Sequence, residues 1–195
     1  MPDSSRRDGA PRPGGVRLGA LVTVVAVGLS LAACGGAPTS AGSTTTQAPL
    51  PAGPTPSPIA TMVCTRQAAK GIDSALGETA AVTTPTWSAT DHLYACRFGY
   101  PTGSFRLSVK ELSSWAATKD YVAGLEATMG KTRDLGGLGQ AAFQSPDGSV
   151  VVRKDWKVLT VDPTGLPAQF GVPPTASEAV AVTVADVILG CWNGD

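Results

Sequence analysis

His92 is the only imidazole in the chain, so it is the first residue to consider for catalysis. A nucleophilic serine or cysteine needs an adjacent general base, and histidine most often supplies it. The sequence lacks the G-x-S-x-G turn that presents a catalytic serine in many hydrolases. We therefore predict that His92 is a partly exposed structural residue at the start of a strand and that the protein is not an enzyme.

Glycine-rich and metal-binding patterns are the next candidates for chemistry. The segment Gly137-Leu138-Gly139-Gln140-Ala141-Ala142 fits the dinucleotide pattern G-x-G-x-x-A. That fingerprint must follow a strand and open a helix, whereas this segment follows a helical pattern and opens a strand. We interpret it as a glycine-rich turn and expect no cofactor. Widely spaced cysteines with one histidine make a poor metal set, so no metal is expected either.

Charge and aromatic residues bear on possible partners. The 15 basic and 15 acidic side chains are interleaved, and no basic cluster suggests a nucleic-acid partner. The four tryptophans could line a pocket for an apolar ligand, but their positions favour packing. We expect Trp115 in the core and Trp156 on an exposed hairpin tip, where it could anchor a protein interface.

Cys34 carries the most specific chemical signal. It follows Leu31-Ala32-Ala33 at the end of an uncharged apolar run that begins at Leu18, and four arginines precede that run. A basic segment, an apolar run and small residues before a cleavage point define a signal peptide. The run is shorter than the roughly 20 residues of a spanning helix, and no stop-transfer pattern follows, so a membrane span is disfavoured.

This segment resembles the lipobox of bacterial lipoprotein precursors. The resemblance implies that residues 1–33 are removed and that Cys34 becomes the acylated first residue. It also implies a protein anchored by lipid on the extracytoplasmic face of the cell membrane. Arg6-Arg7 is similar to a twin-arginine export signal, but Asp8-Gly9-Ala10 replaces its apolar residues, so the general secretory route is favoured.

The three remaining cysteines can form a disulfide outside the cytoplasmic membrane. We favour a bond between Cys64 and Cys96, because the predicted helix and strand place both side chains on inward faces; other pairings stay open. In the favoured pairing Cys191 is a buried free thiol that packs as a small apolar residue, although its role and pairing also stay open.

Residues 34–59 differ in composition from the rest of the chain. After Cys34 the segment consists mostly of Gly, Ala, Pro, Ser and Thr, and it contains no charged side chain. Such a segment buries too little apolar surface to offset its ordering entropy. We predict a lipidated Cys34, a disordered tether that spans some 25–30 Å, and a folded domain over residues 60–195. The tether is also similar in composition to O-mannosylated linkers.

Hydrophobic periodicity predicts the element order α-β-β-α-β-β-β-α for this domain. We expect helices over residues 62–76, 115–129 and 175–191. The last begins at a capping box formed by Thr175 and Glu178. We expect strands over residues 92–100, 105–110, 141–144, 150–153 and 157–161. This order predicts a single α+β domain with a mostly antiparallel sheet of about five strands.

Five segments carry a further family resemblance. They are His92-Leu93-Tyr94-Ala95-Cys96-Arg97, residues 107–112, residues 137–143, residues 148–154 and Ile188-Leu189-Gly190-Cys191-Trp192. They look like small mycobacterial and related actinobacterial lipoproteins of unassigned function, over roughly residues 60–195. The element order is also similar to Mog1p/PsbP-like lipoprotein domains. These resemblances imply a cell-envelope location and carry no catalytic motif.

The anchor, the tether and the lack of a catalytic constellation favour one functional interpretation. We expect a non-enzymatic, membrane-anchored envelope protein that binds a protein or cell-wall partner. One alternative is a carrier of a lipid or other hydrophobic ligand, held between the helices and the sheet. A second alternative is a hydrolase that lacks a recognisable motif.

Overall fold

The computed structural model describes residues 51–192 of the 195-residue chain. The predicted signal peptide, Cys34 and residues 35–50 of the predicted tether lie outside these described residues. The helices are α1 (Pro58–Met62), α2 (Arg66–Leu76), α3 (Trp115–Met129) and α4 (Ser177–Cys191). The strands are β1 (Ala81–Val82), β2 (Thr86–Ser88), β3 (Leu93–Tyr100), β4 (Gly103–Glu111), β5 (Arg133–Asp134), β6 (Ala141–Gln144), β7 (Val150–Lys154), β8 (Lys157–Asp162), β9 (Gln169–Phe170) and β10 (Thr175–Ala176).

An eight-stranded antiparallel sheet forms the middle of the domain. The strand order is β1-β3-β4-β8-β7-β6-β5, and β2 pairs with β3 beside β1. Strands β9 and β10 form a separate small hairpin. The predicted α+β class with a mostly antiparallel sheet is confirmed. The sheet exceeds the predicted five strands because β1, β2 and β5 are too short to show an alternating pattern.

Different helices cover the two faces of the sheet. The main core lies against α1, α2 and α4 and includes the fully buried Phe98, Leu107 and Ile188. On the other face, Val122 of α3 packs with Phe143 and with residues of β7 and β8 in a smaller cluster. Both faces of the sheet are therefore apolar where α3 covers it. Elsewhere one face is apolar and the other is exposed to solvent.

The helices agree with the predicted pattern in position and differ in detail. The first predicted helix is divided, because the Thr65 side chain accepts a hydrogen bond from the Ala68 backbone N–H and begins α2 as its N-cap. Helix α3 has the predicted bounds. The capping box predicted from Thr175 and Glu178 is wrong: α4 begins at Ser177 and has no side-chain hydrogen bond at its N-cap.

Cys64 and Cys96 form a disulfide with 6.0 Å between their Cα atoms, so the favoured pairing is confirmed. Cys64 lies in the turn between α1 and α2 rather than on a helical stripe. The bond therefore ties that turn to β3. The expectation that Cys191 is a buried free thiol is wrong, because Cys191 is half-buried and no cysteine within residues 51–192 is free.

Residues 51–57, which composition assigns to the tether, lie against the domain. The Ala52 N–H donates to the Leu112 carbonyl at 3.1 Å, and the Ser57 N–H donates to the Glu111 carboxylate at 2.9 Å. The carbonyl of Pro54 accepts from the Trp87 indole at 3.0 Å. Composition cannot reveal these bonds, because backbone groups make them with partners far away in the sequence. The folded part therefore includes residues 51–57.

Candidate binding groove

A surface groove lies between β5, the last strand in the sheet order, and α4. Two clefts of about 410 and 540 Å³ form it, and Arg133 lines both of them. We call it the edge groove. Its polar cleft is lined by Thr132, Arg133, Gln144, Ser145, Pro146, Asp147, Gly148 and Glu178. Its less polar cleft is lined by Arg133, Asp134, Leu135, Gly136, Gly137, Leu138, Val182, Thr183 and Asp186.

Strand β5 gives the groove an open sheet edge. Arg133 and Asp134 are both exposed and pair on one side with Gln144 and Phe143 of β6. Within the described residues, no strand pairs with the other side of β5. A free edge of this kind presents backbone N–H and C=O groups that can pair with an added strand.

Gln144 holds the polar cleft together. Its side chain is 4% exposed, and its Oε1 accepts a hydrogen bond from Arg133 Nε at 3.0 Å. Its Nε2 donates to the Gly148 carbonyl at 3.1 Å and to the Glu178 carbonyl at 2.7 Å. These bonds connect β5, the turn after β6 and the start of α4. Gln144 therefore fixes the position of Arg133 in the groove.

The turn at residues 145–149 places a carboxylate at the rim of the polar cleft. Burial acts to raise the pKa of Asp147, but hydrogen bonds from the Ser145 hydroxyl and the Ser149 N–H outweigh it and lower the pKa. Asp147 is therefore ionised at neutral pH. Gly148 has a φ of +84°, and a Cβ there would lie 3.1 Å from the Glu178 Cβ, so the turn packs closely on α4.

The groove carries an acidic excess. Its lining contains the carboxylates of Asp134, Asp147, Glu178 and Asp186 and only one basic side chain, Arg133. Lys131 at the rim pairs with Asp134 at 3.1 Å, which leaves the other three acids without an ion pair among the described residues. Such a distribution favours a ligand with positive charge.

The second cleft adds apolar surface. Leu135 and Val182 are half-buried there, and Leu138 is buried. Gly139 ends the glycine-rich segment with a φ of +58°, and a Cβ there would lie 2.5 Å from the Arg153 carbonyl oxygen. The segment forms turns and bends before β6, so its interpretation as a glycine-rich turn is confirmed. The same segment contributes Leu138 to the lining of the second cleft.

His92 lies half-buried immediately before β3, far from the groove in the strand order. Its φ is +48°, and its Nδ1 is 3.0 Å from the Gly53 carbonyl oxygen. No serine or cysteine among the described residues makes a hydrogen bond with it. The contact with Gly53 helps to hold residues 51–57 against the sheet.

The tryptophans do not line the edge groove. Trp115 is 39% exposed, so its predicted place in the core is wrong. The Arg153 guanidinium carbon lies 4.3 Å from the centre of the Trp115 ring and covers one face of it. Trp156 is half-buried rather than fully exposed. Trp192 is buried, and its indole N–H donates to Asp155 Oδ2 at 3.0 Å, which anchors the same hairpin tip.

Sequence reasoning missed the edge groove, whose residues come from three separate stretches of the chain. The one available signal was Gln144, a polar residue that directly follows the apolar Ala141-Ala142-Phe143. Within residues 51–192, no group of histidine, cysteine or acidic side chains is arranged to hold a metal ion, and no helix has the length and apolarity to cross a bilayer. No family model, curated protein or solved structure matches the chain.

Proposed function

We propose that this protein is a membrane-anchored envelope lipoprotein of the small actinobacterial type and that its domain binds an envelope partner rather than catalysing a reaction. The support for the anchor is the signal-peptide pattern that ends at Cys34, outside the described residues. The support for binding is the edge groove. His92 lies toward the opposite edge of the sheet and offers the groove no general base.

The open edge of β5 beside the groove carries this proposal. An extended polypeptide segment can pair with the β5 backbone and place alternate side chains into the two clefts. The uncompensated Asp147, Glu178 and Asp186 favour a segment with lysine or arginine, and Leu135, Leu138 and Val182 favour an apolar residue beside it. The partner is thus an envelope protein with a basic, partly apolar segment.

Site-specific photo-crosslinking in the host tests the groove. A crosslinking residue replaces Asp134 at the groove or, as the control, Asp120, which is exposed on α3 over the other face of the sheet. We expect a single envelope protein to be captured from position 134 and not from position 120. Glu178→Gln with Asp186→Asn in the same chain should weaken that capture, because this double variant removes two of the acids that favour a basic segment. Equal products from both positions would contradict the proposal.

The anchor has its own test. Cys34→Ala should leave the precursor uncleaved or release the protein into the medium, because acyl chains supply about 0.8 kcal/mol of membrane affinity per buried CH₂. Ser40→Ala is the matched control and should fractionate with the membrane like the wild type. Normal processing and membrane fractionation of Cys34→Ala would refute the anchor.

The carrier alternative rests on a smaller cleft. Leu76, Phe170 and Val180 line an apolar space of about 240 Å³ between α2, β9 and α4. Pockets for drug-sized ligands usually hold about 300–1,000 Å³, so this space is small for a lipid. Native mass spectrometry and lipid extraction of the protein from its host distinguish the two functions. A co-purifying apolar molecule would favour the carrier.

A further inference from the structure

Arg97 and Arg106 lie directly opposite one another on β3 and β4. Both side chains are exposed, on the face of the sheet opposite the main core. Directly opposed residues of an antiparallel pair have Cβ atoms about 4.5–5.5 Å apart, and like charges there destabilise the sheet. The repulsion between two opposed arginines therefore favours a negative charge beside them.

The described residues supply no ion pair to either guanidinium. Arg97 Nη1 donates to the Ser104 hydroxyl at 3.1 Å, and the Arg106 side chain makes no hydrogen bond within residues 51–192. Asp162 stands directly opposite Arg106 on β8 and supplies one negative charge nearby, but it forms no ion pair with either arginine, and its Oδ1 accepts from the N–H and hydroxyl of Thr164. Most of the guanidinium N–H donors thus remain available to a ligand.

A cleft of about 150 Å³ opens beside the two arginines, where the chain passes from β1 to β2. The hydroxyl-bearing Thr83, Thr84 and Thr86 line it, and the lining contains no carboxylate. Thr83 Oγ1 accepts from the Arg97 N–H at 3.0 Å, which leaves its hydroxyl proton free to be donated outward. Thr86 Oγ1 already donates to the Ala95 carbonyl at 3.4 Å, so the guanidinium groups and the hydroxyls of Thr83 and Thr84 are the donors left to this small space.

We propose that this arginine cleft binds the phosphate group of an anionic ligand. The planar guanidinium matches the geometry of phosphate oxygens and forms paired, charge-assisted hydrogen bonds with them. One phosphate between Arg97 and Arg106 also removes their mutual repulsion. Drug-sized ligands need about 300–1,000 Å³, so the cleft takes the phosphate group and leaves the rest of the ligand outside, over the sheet.

The phosphate can belong to a phospholipid headgroup, which is a diester, or to a soluble phosphate monoester. Isothermal titration of the full chain in non-ionic detergent tests this with three probes: inorganic phosphate, glycerol 3-phosphate and glycerophosphoglycerol. The variants are Arg97→Gln and Arg106→Gln. Arg66→Gln is the control, because Arg66 is exposed on α2 and its loss changes the net charge equally.

We expect saturable binding of at least one probe that weakens tenfold or more in both cleft variants and less than twofold in the control. Tighter binding of the diester identifies a headgroup, and tighter binding of the monoester identifies a soluble ester. The same probe should raise the melting temperature of the wild type and not of Arg106→Gln. Failure of all three probes to bind, or an equal loss in Arg66→Gln, would overturn the proposal.

Discussion

Removal of the Cys64–Cys96 disulfide should destabilise the domain by an amount that the closed loop determines. The two cysteines are 32 residues apart in the sequence. In the chain-entropy treatment, opening a loop of that length returns about 12 cal/mol/K to the unfolded chain, or about 3.7 kcal/mol at 25 °C. For a domain of about 140 residues this corresponds to a fall in melting temperature of about 12 °C.

The double variant Cys64→Ala/Cys96→Ala is the appropriate change, because a single substitution leaves a reactive thiol. Its folded state should keep the far-ultraviolet circular dichroism of the wild type, because the core residues Val63 and Ile72, before and after Cys64 in the sequence, are fully buried and should remain so without the bond. Urea unfolding should give a lower free energy of unfolding. The m value should rise, because an unfolded chain without the crosslink exposes more surface.

The double variant Cys64→Val/Cys96→Val is the control, because it removes the same bond and leaves Cys191 unchanged, and it should unfold within about 1 kcal/mol of the alanine variant. If the oxidised wild type and the double variant have free energies of unfolding that differ by less than about 1 kcal/mol, the reasoning fails. The unfolded chain would then be restricted by something other than the disulfide.

The remaining predictions concern the groove, two glycines and the histidine. Gln144→Leu should lower the free energy of unfolding by about 2–3 kcal/mol, measured in urea, because the Gly148 and Glu178 carbonyls lose their donor in a buried site. Gly139→Ala should lower the free energy of unfolding by more than about 1 kcal/mol, because Gly139 has a positive φ and an added Cβ would meet the Arg153 carbonyl. Gly124→Ala in α3 should raise the free energy of unfolding by about 0.5–1 kcal/mol, because a Cβ there meets nothing within 4 Å. Equal melting temperatures for the two variants would refute both predictions. His92→Ala should leave the cellular phenotype close to that of the wild type, and loss of function in a folded, membrane-located His92→Ala protein would favour the hydrolase alternative. The pKa of Asp147 is lowered in the folded state, so its contribution to stability should be present above its pKa in the unfolded chain and lost as the pH falls through its pKa in the folded protein. Asp147→Asn should therefore reduce the loss of unfolding free energy at acid pH, measured by urea unfolding at several pH values.

Long elements with a clear period were predictable from the sequence. Helix α3 has the predicted bounds and strand β3 begins one residue after its predicted start, because their apolar residues recur at the spacing of one face over several turns or pairs. The disulfide was also predictable, since the alternation in β3 turned Cys96 toward the core. The periods that predict these elements, and the inward face of Cys96, depend on neighbours that are close in the sequence.

Features that depend on distant pairing were not predictable. Strand β5 contains two residues, and only its pairing with β6 makes it a strand. The edge groove exists because Gln144 connects β5 to the start of α4, and no local pattern links residues 133, 144 and 178. The helical spacing of Trp115 predicts a place in the core, but spacing cannot show that Arg153 covers its ring at the surface.

The hydrogen bonds of residues 51–57 bear on how this domain is produced in isolation. A recombinant fragment trimmed to begin at residue 60 would lack the Ser57 N–H that meets the Glu111 carboxylate, whose residue is 3% exposed. It would also lose the acceptors of the Trp87 indole and the His92 ring. A fragment cut at the compositional boundary would thus be a weakened protein, and one that begins before residue 51 retains these hydrogen bonds.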